Sequence, residues 1–290
     1  MFKPQFEALE DRSLPSGGSM LNSVSIVGNS LNIIGTNRSD IITFTVNEDA
    51  SARIYLNGAV THLEAAEVID FIFQPGGANV NIWALGGNDW VRVTLAPNLV
   101  LPTVNLNVTV NLGSGNDVFY TIADGVTLDG TNLTLTGNGG SGNDHLIASG
   151  QFLDLFNNAV ATVLLNGDSG DDVIRTDTTG IVEFGSTLNY RANGGDGRDF
   201  VIGVHRFEAG SNGTINAAVI GGRGRDHLAL WLIQESGFDT PTINGLMDGG
   251  DLARNHQSRD REDMIATDNV FVTNFGPGSR GQRYTIVPGI

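Results

Sequence analysis

Apolar and polar residues alternate along most of this chain. Leu106-Asn107-Val108-Thr109-Val110-Asn111-Leu112 places an apolar residue at every second position, and Leu31 and Ile33, then Ile42, Phe44 and Val46, follow the same rule. A period of two marks a strand with one buried face. From Ser23 onward almost no stretch carries helical periodicity, so the pattern predicts an all-β chain.

One recurring turn punctuates the strands. Its best copies are Gly139-Gly140-Ser141-Gly142-Asn143-Asp144, Gly194-Gly195-Asp196-Gly197-Arg198-Asp199 and Gly221-Gly222-Arg223-Gly224-Arg225-Asp226, with looser copies ending at Asp89, Asp117 and Asp172. From Asp89 onward the intervals are 28, 27, 28, 27 and 27 residues. A fixed pitch of this size means one structural rung per repeat. An alternating strand leads into each turn, a second leaves it, and a third, more variable segment completes the coil. The spacing predicts a right-handed parallel β-helix, a solenoid of about 27 residues per coil, with parallel strands roughly 4.8 Å apart.

The ends depart from the repeat. Residues 1–20 read as a leader or disordered tail, and residues 21–83 as an N-terminal β cap. That cap holds a degenerate turn at Gly35 to Asp40 and a hairpin over Arg53 to Val60, turned by Asn57-Gly58. Residues 63–68 read as a helical turn or loop, and 68–73 as a buried strand. Residues 84–247 form the glycine and aspartate repeat. Residues 248–290 hold an interrupted last repeat, with 252–261 inserted into its turn and Asp263 resuming the strand, followed by a C-terminal cap.

Charge adds chemistry to this frame. The net charge is −16, and 23 Asp stand against 9 Glu. Asp favours turns and hard-cation sites, whereas Glu favours helices. No basic stripe is present to neutralise phosphates, so nucleic acid is not an expected partner. The absence of cysteine excludes disulfides, thiolate metal sites and Cys nucleophiles. No apolar run approaches the length of a membrane span, and a monomer is expected.

Stacked turns would place Asp89, Asp117, Asp144, Asp172, Asp199 and Asp226 in one column. Like charges roughly 5 Å apart call for a counterion. Calcium takes six to eight oxygen ligands and accepts carboxylates and carbonyls alike. The turns would supply carbonyls around Gly139, Ser141, Gly167, Ser169, Gly194, Asp196 and Gly221. These motifs resemble the hemolysin-type (RTX) calcium-binding repeats, most closely over Gly139 to Leu146, Gly194 to Val201 and Gly221 to Leu228. The resemblance implies Ca²⁺ held between successive turns of an exported protein. One motif per 27 residues, rather than tandem nonapeptides, favours a wider, three-sided coil. Leu9-Glu10-Asp11-Arg12 with Leu14-Pro15-Ser16 resembles the Leu-Glu-x-Arg leader of exported planctomycete proteins, which implies an extracellular or cell-surface location.

Two other readings stand beside calcium. In a metal-free solenoid, Asn88, Asn116 and Asn143 would stack as a polar ladder, and Asp171 with Arg198 and Asp196 with Arg223 would pair across rungs. In a carbohydrate-active β-helix enzyme, a lyase or hydrolase, the candidate acids outside the column are Asp154, Asp177 and Glu183, and the candidate bases Arg175 and Arg191. None of these forms a recognised motif, and the five histidines are dispersed. The expected role is non-catalytic: structural, surface or adhesive, with a matrix or cell-surface polysaccharide or protein as partner.

Overall fold

The computed structural model describes residues 23–63, 77–235, 241–249, 261–267, 271–275 and 283–287. The leader, the segments at 64–76 and most of the 252–261 insertion lie outside them. Among the described residues every regular element is a strand. Strands about 27 residues apart stack in parallel as a β-solenoid of about six turns.

The coil has three sides. Among the described residues ten strands form the pre-turn sheet, eleven the post-turn sheet and three a short third sheet of Val100–Pro102, Thr127–Asp129 and Asp154–Phe156. Within the pre-turn sheet, Asn105–Ser114, Asn132–Ser141, Val160–Ser169, Thr187–Gly197 and Thr214–Gly224 follow one another in register. Within the post-turn sheet, Trp90–Leu95, Val118–Ile122, His145–Gly150, Val173–Gly180, Phe200–Phe207 and His227–Gln234 do the same.

The repeat stacks like on like. Leu106, Leu133, Ala161, Leu188, Ile215 and Ile243 form one interior column, and Val91, Phe119, Leu146, Ile174, Val201 and Leu228 another. All are buried. Burying each such side chain stabilises the fold by about 1.5–3 kcal/mol. A slip of one residue would turn a whole column to solvent, so the alternation itself fixes the register.

At the N-terminal end antiparallel strands cover both sheet edges. Ser23–Val27 pairs with Ser30–Thr36. The hairpin Ala52–Leu56 and Ala59–Leu63 pairs against Ile41–Val46. Its two turn residues, Asn57 and Gly58, have φ of 49° and 93°, as a two-residue hairpin requires. At the other end Arg261–Thr267 continues the post-turn sheet with Arg261 opposite His227. That register sets Asp263 opposite Ala229 rather than opposite Asp226. The strands Phe271–Phe275 and Arg283–Val287 each add one further parallel strand, so this segment extends the coil.

Candidate functional site

Each glycine turn is a bend that only certain backbones can make. Its second and fourth residues take positive φ, for example 99° at Gly140 and 124° at Gly142. The fourth is always glycine, because a Cβ on Gly142 would collide with the carbonyl of Gly115 one rung earlier. The second tolerates Asp168 at φ 69° and Leu85 at φ 80°. This double reversal folds the sixth residue, the aspartate, back under its own turn.

The six predicted aspartates form the expected column, and Asp40 adds a seventh member at its head. All seven are buried, none above 3% exposed. In each of the six predicted aspartates one carboxylate oxygen, Oδ1, accepts the backbone N–H of the aspartate one rung earlier. Asp40 N–H donates to Asp89 at 2.7 Å, Asp89 to Asp117 at 2.7 Å, and Asp117 to Asp144 at 2.8 Å. Asp144 donates to Asp172 at 2.7 Å, Asp172 to Asp199 at 2.9 Å, and Asp199 to Asp226 at 2.9 Å.

A second ladder runs the opposite way at the fifth position. Asn88 Oδ1 accepts the N–H of Asn116 at 2.9 Å, Asn116 that of Asn143 at 2.8 Å, Asn143 that of Asp171 at 2.9 Å, and Asp171 that of Arg198 at 2.9 Å. The asparagines thus bind backbone rather than one another. Asp171 meets the Arg198 backbone and not its guanidinium. Asp196 and Arg223 do pair, at 3.7 Å, with both side chains largely exposed. That pair contributes about 0–1 kcal/mol.

The other carboxylate oxygen decides the chemistry. Oδ2 of Asp89, Asp117, Asp144, Asp172 and Asp199 is buried and accepts no hydrogen bond. Asp40 differs: Thr36 N–H and Oγ1 and Asn57 Nδ2 all donate to its carboxylate. Loss of water raises the carboxyl pKa of Asp89, Asp144 and Asp199 from 3.8 to about 7 and that of Asp172 to about 6. The accepted N–H bonds pull the other way and lose. Asp117 is raised for the same reason.

Beside each orphan oxygen stands the first residue of the turn. A Cβ on Gly139 would strike Oδ2 of Asp144 and the carbonyl of Gly167, the first residue of the next turn. Gly167 faces Asp172 Oδ2 and the Gly194 carbonyl in the same way, and Gly194 faces Asp199 Oδ2 and the Gly221 carbonyl. The strand ladder skips this residue. Asn138 pairs with Asn166 and Gly140 with Asp168, omitting Gly139 and Gly167, and the next two rungs repeat the gap. In the turns of Asp89 and Asp117 the first residue is Ala84 or Leu112, each fully buried, so a side chain stands where the later turns have glycine, whereas Gly35 at the head of the column faces Asp40 Oδ2 and the Ala84 carbonyl.

These oxygens suit a hard cation and no soft one. The fit holds at Asp144, Asp172 and Asp199, where a buried carboxylate oxygen and a carbonyl flank a bare glycine. It is poorer at Asp89 and Asp117, where an alkyl group takes that place. Among the described residues no three acids or histidines converge on one point. An ion here would therefore take one carboxylate from its turn and fill its shell from carbonyls and water.

The structure disperses the candidate catalytic groups. Asp154 lies in the third sheet and accepts the Ile181 N–H at 2.9 Å. Asp177 and Arg175 form an ion pair of 2.5 Å on the post-turn sheet, and Gln151 donates to Asp177 at 3.0 Å. Glu183 accepts the Asn157 N–H at 3.4 Å, and Arg191 stands on the outer pre-turn face. Asp40 belongs to the column and was legible from its turn, Gly35 to Asp40. His205 gave no signal: it is fully buried, stacked on Tyr190 at 4.5 Å, and burial lowers its pKa to about 4.

The fold and this edge together define a parallel β-solenoid with an acidic column inside its glycine turns. No family model, curated protein or solved structure matches the chain.

Proposed function

We propose that this chain is a non-catalytic, exported structural solenoid that takes up calcium along the turns of Asp144, Asp172 and Asp199. The observation that carries the proposal is the run of buried Oδ2 atoms without partners, each beside a glycine carbonyl of the next rung. A buried carboxylate left without a partner is costly in its charged form. It must hold a proton or a cation. Near neutral pH these carboxyls stand at the balance point, so calcium can displace the proton. The resemblance of the turns to hemolysin-type repeats supports the same reading. Export fits the cysteine-free, acidic composition and the Leu9 to Arg12 segment, and a surface or matrix polysaccharide or protein remains the proposed partner. The non-catalytic reading rests on how the candidate groups are engaged: Arg175 pairs with Asp177, and Asp154 and Glu183 accept backbone N–H groups.

The test is thermal melting at pH 8, above the carboxyl pKa values, in chelator and in millimolar calcium. An extracellular module binds calcium at about 10⁻⁴–10⁻³ M, and an ion bound only by the folded state raises the melting temperature by mass action. Superimposed curves would leave the column as a metal-free structural ladder, the reading its Oδ1 hydrogen bonds favour.

A further inference from the structure

The third side of the coil holds the two most exposed phenylalanines among the described residues, Phe184 at 79% and Phe152 at 64%. The repeat does not call for either ring. Val100, Thr127 and Asp154 pair in one row of the third sheet, and two residues before each the chain bends through Asn98 at φ 64°, Gly125 at 68° and Phe152 at 55°. Asn and Gly suit that left-handed bend, and a bulky ring does not. Phe152 is held in it all the same, its N–H donated to Thr179 Oγ1 at 2.8 Å, with the ring left in water. Beyond the other end of the sheet, Thr103, Gly130 and Asn157 follow the paired row of Pro102, Asp129 and Phe156. One rung on, Val182 stands opposite Leu155, which sets Phe184 beside Asn157. Between these two rings lies a third. Phe156 is half-buried on the outward face, with Asp129 beside it one rung earlier and Glu183 one rung later. Asn157 holds both carboxylates: its side-chain amide donates to Asp129 Oδ1, and its backbone N–H to Glu183 Oε2 at 3.4 Å. The second oxygen of each has no partner among the described residues.

We propose that this side docks an arginine presented by an extended segment of a partner protein, its guanidinium lying over Phe156 with Asp129 and Glu183 on either hand. Charge selects the occupant. The outward rows of the third sheet hold acids and no base, whereas the pre-turn face carries Arg191 and the post-turn face Arg92 and Arg175. A neutral glycan gains nothing from that field, and an acidic one is repelled by it. The two carboxylates stand two strand spacings apart, about 10 Å, too far to share a metal ion. A phenyl ring lies between them, and its face attracts a cation. A guanidinium is flat, so it can stack on the ring and still direct N–H groups sideways to a carboxylate on each edge. A lysine ammonium is a point charge that cannot do both. Phe152 and Phe184, roughly 15 Å apart along the chain direction, then take the methylene stems of flanking basic residues. None of these residues belongs to the aspartate column, so the inference stands apart from the calcium reading.

The experiment is fluorescence anisotropy of a labelled oligo-arginine peptide titrated with the full chain in chelator, beside an oligo-lysine peptide of equal length. The chain's net charge of −16 attracts any polycation, so the informative variants change no charge. Phe152→Asn and Phe184→Asn put into these turns a residue that equivalent turns already hold, and each should weaken the arginine peptide about two- to fivefold. Together they should weaken it at least about fivefold and bring it level with the lysine peptide. Thr136→Ala, on the pre-turn face, should leave binding unchanged. Phe152→Asn should also raise the melting temperature by about 2–4 °C, because Asn fits the left-handed bend, so weakened binding cannot be laid to unfolding. Equal affinity for the two peptides, or binding indifferent to the loss of both rings, reduces the effect to general attraction and overturns the inference. So does the absence of binding, or displacement of the peptide by a neutral oligosaccharide.

Discussion

The first turn of the column and the glycine turns near its middle solve one problem in two ways. At Asp40 a buried carboxylate is satisfied by its own protein, through Thr36 and Asn57. At Asp144, Asp172 and Asp199 one oxygen is held by a backbone N–H and the other is left beside a glycine. Between them, Asp89 and Asp117 keep the orphan oxygen but lose the glycine to Ala84 and Leu112. The same aspartate in the same register is thus a closed structural bond at one end and an open oxygen site further along. A repeated residue does not imply a repeated role: Gly35 opens the Asp40 turn as Gly139 opens the Asp144 turn, and it is the donors Thr36 and Asn57 that close the first and not the second.

A change of pH acts on all the orphan carboxyls at once and gives the largest effect. Their pKa values are raised in the folded state, to about 6 for Asp172 and about 7 for Asp89, Asp144 and Asp199. The folded protein then binds more protons than the unfolded chain between about pH 4 and pH 7, so stability falls as pH rises through that window. In chelator the melting temperature should be highest near pH 4, drop toward pH 7 and level off above it. Calcium should restore most of the loss at the alkaline end. A melting temperature that rises from pH 4 to pH 7 in chelator would show that these carboxylates are charged and already satisfied.

Exchanging first-position residues sharpens the contrast more locally. Gly167→Ala drives a methyl into the Asp172 carboxylate and the Gly194 carbonyl. It should cost about 1–3 kcal/mol, as overpacking does, and lower the calcium response of that turn. Ala84→Gly should cost about 1 kcal/mol from backbone entropy and leave calcium binding at Asp144 to Asp199 unchanged. Chemical denaturation of the two variants measures both. Equal costs with equal calcium responses would erase the distinction between the two kinds of turn.

The smallest effect is expected from Asp172→Asn in chelator at pH 8. The amide keeps an oxygen for the Asp144 N–H and carries no charge to bury, so stability should change by less than about 1 kcal/mol or rise. In calcium the same variant should lose the stabilisation that the parent gains. Asp172→Ala removes the acceptor as well and should be destabilised in both buffers. If Asn and Ala behave alike, the Oδ1 bond contributes nothing, and the column acts through packing only.

Much of this was legible in the chain. The 27–28 residue pitch, the alternation on both sides of each turn and the Asn57-Gly58 hairpin determine a three-sided parallel solenoid with capped N-terminal edges, because period and pleat together leave one register that buries every apolar row. The list of column aspartates followed from the same pitch. What the pitch could not reveal was the direction of their side chains. Alternation assigns faces only along a strand, and the aspartates follow a turn, where the path of the backbone decides which way they face. An inward carboxylate loses water, binds the backbone of the previous rung and shifts its pKa, none of which is written in a spacing. The same limit hid His205: burial inside a coil exists only once distant rungs are brought within a strand's width of each other.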